Sequence, residues 1–128
     1  MPTERRAAIL EQIEACQVQL FLACGVEEAR AVLGTRRVDL IFTDCQLPDG
    51  NWRDIVAHRA QAGFHSEVIL CARRLEAKLC AEAFTRGVWD VIADASSREE
   101  LRRTIESAAS RMYMHSLGGA RGAACAAS

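Results

Sequence analysis

Four side chains able to do chemistry stand at the ends of apolar runs in this chain. Asp44 follows Leu40-Ile41-Phe42-Thr43, with Cys45 beside it; Cys71 follows Val68-Ile69-Leu70; and Asp94 follows Val91-Ile92-Ala93. A carboxylate presented there can attack phosphorus, take up a proton or hold a hard cation. A thiol becomes a nucleophile or redox centre only when an imidazole or cation beside it lowers its pKa. His58 and His65 fall in a helical stretch and in a loop, and no spacing brings either to Cys45 or Cys71. Both thiols therefore read as buried or half-buried small hydrophobes. Asp94 reads as a solvated loop acid, the other reading being a cation ligand beside Asp44. Asp44 carries the sharpest signal.

These residues need elements to position them. Short apolar runs rich in β-branched and aromatic residues, bounded by turn formers, read as strands buried on both faces. Such strands belong to parallel sheets covered by helices on each side, and open α/β sheets keep their chemistry at the carboxyl ends of the strands. Asp44 then ends a central strand, and Leu47-Pro48-Asp49-Gly50 turns the chain away. Periodicity and caps predict strands over 17–23, 40–43, 67–71 and 88–93. Helices are predicted over 4–15, 27–33, 51–62 and 75–86, and from a cap at Ser96 or Ser97 to about Met114. Gly25, Gly34, Gly63 and Gly87 stand at the breaks. Strict alternation with short connections implies a parallel α/β sheet with right-handed crossovers. Four strands and five helices are expected.

With 128 residues, one domain with a two-sided core is expected. Hydrophobic residues at 50% and charged residues at 26% place it among folding sequences. A net charge of −1 argues against nucleic-acid or membrane-surface binding driven by bulk charge. The sixteen basic residues include a single lysine, Lys78, which reads as genomic composition. None of the six cysteines lies in a C-x-x-C pair or at a zinc-finger spacing. With no signal core after the charged start and no run of membrane-spanning length, a reduced, cytoplasmic protein is expected.

An apolar strand, Asp44, two residues and then Leu47-Pro48-Asp49-Gly50 closely resembles the phospho-acceptor segment of response-regulator receiver domains. The element order resembles that family too, over roughly 2–115, except that the family opens with one further strand. The resemblance implies a flavodoxin-like, receiver-like fold for residues 1–115. Residues 116–128, rich in Gly and Ala, fall outside it and are expected to form a mobile tail.

The same resemblance implies a site in which a phosphorylated aspartate is served by Mg²⁺. That ion is held by two acidic residues after the first strand and by a backbone carbonyl, here that of Gln46. The acidic pair is missing from this sequence, and neither Glu4 nor Asp49 sits at its position. Where the family has Ser or Thr beside the phosphoryl group, this chain has Cys71, or Ala72 if the next loop has no insertion. Where the family has lysine after its last strand, this chain has Asp94, followed by Ala95 in place of proline. The aromatic switch position corresponds to Val91, with Trp89 close by.

Asp44 survives as acceptor candidate while Gln46, Cys71 and Asp94 mark a degenerate site; no catalytic residue, metal or cofactor is assigned, since Mg²⁺ belongs to the family and lacks its ligands here. The implied role is a two-component (phosphorelay) signalling module, not an enzyme, that binds a protein partner such as a histidine kinase. Neither nucleic acid nor membrane is implied. Leu75 to Met114 is the expected contact face, and a homodimer through the exposed sheet or the last two helices is a further expectation. The alternative is a phosphoryl-accepting regulator whose first strand precedes Met1. The missing strand leaves a slot between 18–23 and 40–43, to be closed by direct pairing or by a strand from a partner chain.

Overall fold

The computed structural model describes residues 7–9, 11, 19–23, 25–35, 38, 40–62, 66–93, 97–115 and 122–126. Residues 7–9 and 11 are helical. The elements that follow are β1 (Gln19–Ala23), α1 (Val26–Thr35), β2 (Leu40–Asp44), β3 (Gln46–Leu47), β4 (Gly50–Asn51), α2 (Trp52–Ala62), β5 (Glu67–Ala72), α3 (Ala77–Thr85), β6 (Asp90–Ala93), α4 (Arg98–His115) and β7 (Gly122–Ala126).

β2 forms where three large apolar residues and a threonine run together, and Leu40, Ile41, Phe42 and Thr43 are all fully buried. Side chains alternate across a strand, so β2 feeds two cores. Ile41 packs with Val68, Leu70, Ala72 and Val91 against Val26, Ala29 and Leu33 of α1, Trp52, Ile55 and Val56 of α2, and Ala83 of α3. Leu40 and Phe42 pack with Ile69, Cys71 and Ile92 against Leu101, Ile105 and Ala108 of α4, and against Ile9. Helices cover both faces of the sheet, as its doubly apolar strands require.

The strands lie in the order β1-β7-β2-β5-β6 and pair in parallel throughout. Two expectations are corrected here. The sheet has five strands rather than four, and the fifth comes from the segment expected to be a mobile tail. β7 fills the slot: Gln19 to Ala23 align with Gly122 to Ala126 on one side, and Leu40 to Thr43 align with Ala123 to Ala126 on the other. Gly and Ala are weak strand formers, so the segment carries little signal of its own. It becomes a strand because β1 and β2 each present an unpaired ladder to it. Direct β1–β2 pairing does not occur.

Gly34, expected to close α1, lies inside it, the helix running on to Thr35; the expected ends at Ser97 and Gly87 are met. Ser97, not Ser96, starts α4, its Oγ accepting from the Glu100 N–H at 3.1 Å. Gly87, at φ +89°, closes α3 in a Schellman motif, with Gly87 N–H donating to Phe84 O and Val88 N–H to Ala83 O. Arg59 of α2 braces that turn by donating to Ser66 O at 3.1 Å and to Gly87 O at 3.4 Å. The predicted cap and break at Thr3 and Gly63 lie outside the described residues.

Candidate functional site

Asp44 ends β2 half-buried at the carboxyl edge of the sheet, where the sequence placed it. Its register partner in β5 is Cys71, only 5% exposed and packed with the α4-side core. Ala72 packs in the opposite core. Of the two candidates, Cys71 is the one that register places beside Asp44. On the other side, β7 reaches Thr43 through Ala126 and contains no acidic residue. Asp94 lies outside the described residues, just beyond β6. Val91 is buried in the α1–α3 core.

The loop after Asp44 is a clasped hairpin. Gln46 pairs with Asn51 and Leu47 with Gly50, around a Pro48-Asp49 turn. Gln46 is exposed, whereas Leu47 is buried in the core and pins the hairpin down. Trp52 N–H donates to Cys45 O at 3.2 Å. Asn51 and Asp54 cap α2 reciprocally: Arg53 N–H donates to Asn51 Oδ1 and Asn51 N–H to Asp54 Oδ2, each at 2.9 Å. Asp49 reaches to α1, where its oxygens accept from Val26 N–H at 2.7 Å and Glu27 N–H at 3.0 Å. Those two backbone donors, Glu27 first, hold the Asp49 carboxyl below its ordinary pKa. Gly25 leaves room for this clamp, since a Cβ there would lie 2.7 Å from Asp49 Oδ1.

Cys45 is half-buried, its Sγ directed at Cys71 O at 3.6 Å. Burial, and after it the negative charge of Asp44, push its pKa up. Cys45, Cys71 and Cys80 are free thiols. A raised pKa disfavours the thiolate, so Cys45 is not an activated nucleophile. His58 sits half-buried on α2, while His65 lies outside the described residues. Arg53 grips Glu82 of α3 through two bonds of 2.5 and 2.6 Å and lies over the Trp52 ring, 4.9 Å from its centroid. Arg86 adds a third bond to the same carboxylate at 2.9 Å. Hydrogen bonding to Arg53, above all, lowers the Glu82 pKa to about 2.

Sequence reasoning missed the Asp49 clamp and the Arg53–Glu82 tie. The first was hidden because Pro-Asp-Gly explains Asp49 as a turn residue. The second joins two helices 29 positions apart and leaves no local pattern.

No family model matches the chain. It is similar to the transcriptional regulatory protein DpiA of Escherichia coli K12, with 26% identity over 96 residues, 75% of this chain and 42% of that protein. The chain thus spans less than half the length of that relative. Among solved structures, the signal receiver domain of a LuxO repressor protein from Vibrio parahaemolyticus aligns with a TM-score of 0.80 at 16% identity. The alignment covers 88% of this chain and 87% of that one. The chain has the receiver-domain fold. The receiver domain of the Francisella response regulator 1452 aligns with a TM-score of 0.73 at 18% identity over 84% of this chain and 91% of its own. A response regulator from Thermotoga maritima gives 0.74 at 17%, over 85% and 91%.

The receiver resemblance implies a divalent cation beside Asp44. Mg²⁺ takes oxygen donors in a near-octahedral array. Asp44 has a thiol residue on its β5 side and an acid-free strand on its β7 side, while Asp49 has both oxygens on helix N–H groups. Among the described residues, no three His, Cys, Asp or Glu side chains are grouped to hold a metal ion. This donor set, among the described residues, does not fit Mg²⁺. No described helix is long and apolar enough to cross a membrane.

Proposed function

We infer that the chain is a degenerate receiver, a signalling module that works by binding a protein partner and not by accepting phosphate. The observation that carries this reading is the register around Asp44. The position beside it on β5 is Cys71, where a hydroxyl would donate to a phosphoryl oxygen far better than a thiol. The strand on its other side supplies no carboxylate for a cation. At the described positions flanking the end of β2, the neighbouring strands thus supply neither a carboxylate for a cation nor a hydroxyl donor to balance the negative charge developing on a transferred phosphoryl group.

The partner face in this reading is α3, β6 and α4. Leu75 and Phe84 are large, apolar and more than half exposed there, at 58% and 54%. Ala77 and Ala81 are exposed on the same helix as Phe84. A histidine kinase or another signalling protein is the class of partner proposed. Regulation of transcription is said of DpiA as a whole and is no part of this reading.

The deciding experiment incubates the chain with a small phosphodonor and Mg²⁺ and measures intact mass. No phosphoryl adduct is expected. An adduct that disappears in Asp44→Asn overturns the reading in favour of a phosphoryl-accepting regulator, a role that the half-exposed position of Asp44 would suit.

A further inference from the structure

We propose that β7 is an exchangeable strand and that its exchange partner is the same strand of a second copy of this chain. Four observations lead there. First, β7 is paired on both edges, to β1 and to β2, so its departure uncovers two parallel ladders at the centre of the sheet. Unpaired strand edges are templates for another strand, and two facing edges demand one parallel to both with matched register. A second copy offers that strand ready-made.

Second, β7 follows every other described element, so its departure breaks no connection between two described elements. Third, its sequence is Gly-Ala-Ala-Cys-Ala, with no branched or aromatic residue. The backbone ladder, not large side chains, must hold it, and with only small side chains little in its sequence fixes which ladder it joins. Fourth, six residues join His115 to Gly122. Short connecting loops favour exchange between copies over return to the same copy. A swapped strand makes the same contacts in its new host, which is why swapping is an easy route to dimers.

The test uses the full chain carrying Leu22→Cys, since Leu22 and Cys125 are register partners across β1 and β7. Equal amounts grown in light and heavy nitrogen are unfolded together, refolded and treated with a short thiol–thiol cross-linker. The peptide joining positions 22 and 125 is then weighed. Exchange between copies puts one light and one heavy half into about half of these peptides, the statistical share for a swapped dimer. If every such peptide is of one isotope, the strand stays in its own chain and the proposal is overturned, even if the protein is a dimer.

Should Leu22→Cys not fold, Gln19→Cys with Gly122→Cys reads the other end of the same ladder. The unaltered chain gives an independent reading by light scattering. Twice the monomer mass is expected at high concentration, relaxing slowly on dilution. A monomer at every concentration overturns the proposal.

Discussion

Asp49 holds the first turn of a helix that begins 23 residues before it, its carboxylate accepting from the N–H groups of Val26 and Glu27. A turn residue in the loop after Asp44 thereby caps the first turn of α1 from outside the helix and ties that loop to it. Replacing Asp49 should loosen both. Asn keeps one acceptor oxygen, puts an NH2 group in place of the other and loses the charge that favours a helix N-terminus, and Ala loses every acceptor. The expected order of urea midpoints is native, then Asp49→Asn, then Asp49→Ala, with unchanged slopes. Equal midpoints for all three would show the clamp to be idle.

Acid should weaken the fold through Glu82. Its pKa falls from an ordinary 4.5 to about 2 in the folded chain, so the unfolded chain takes up its proton first as pH drops. The contribution is complete above about pH 4.5 and disappears as pH falls toward about 2. Urea midpoints measured from pH 6 to pH 2 should therefore decline more steeply for the native chain than for Glu82→Gln. Parallel curves would place the acid sensitivity elsewhere. Asp49, with its pKa also lowered, acts in the same direction but begins from 3.8, so Asp49→Asn should flatten only the more acid part.

Two glycines of the α1 region should respond in opposite directions to alanine. At Gly34, within α1, a Cβ meets nothing within 4 Å, and Gly34→Ala should stabilise by about 0.5–1 kcal/mol. At Gly25, a Cβ would press on Asp49 Oδ1, so Gly25→Ala must displace the clamp and destabilise. Gly87→Ala should also destabilise, because φ is +89° and Arg59 Nη2 lies 2.9 Å from the added carbon. Thermal denaturation of the three variants separates these outcomes; a stabilising Gly25→Ala would contradict the clamp geometry.

Cys45 should alkylate slowly at neutral pH. Burial is the first cause and the neighbouring Asp44 charge the second. Asp44→Asn removes only the second, so it should speed the reaction of Cys45 with iodoacetamide and lower the pH at which the rate reaches half its maximum, without reaching the rate of an open thiol. Peptide mapping isolates Cys45 from the other cysteines. An unchanged rate profile would mean that Asp44 and Cys45 do not sense each other.

Much of the fold could be read from local pattern. The run from Leu40 to Asp44 declared a strand buried on both faces, and the helices from Val26, Trp52, Ala77 and Arg98 followed from periodicity and caps. Asp44 fell where its strand ended. What stayed hidden had no local cause. Gly122–Ala126 has the composition of a tail and becomes a strand only because two others present their edges to it. Cys71 and Ala72 could not be told apart beside Asp44 until strand register fixed the match. Asp49 and Glu82 each look solvated in sequence, yet each is committed to a partner more than 20 positions away.

The strand at the middle of the sheet also decides when the protein can finish folding. Gln19 must wait for Gly122, about a hundred residues later, and pairing so distant in sequence makes folding slow. While the chain is still being synthesised, β1 and β2 have both emerged with an empty channel between them. Any residues that reach that channel before Gly122 does compete for it. Among the described elements, the centre of the sheet is therefore the last to be synthesised, and until it arrives the channel between β1 and β2 is open to a wrong strand.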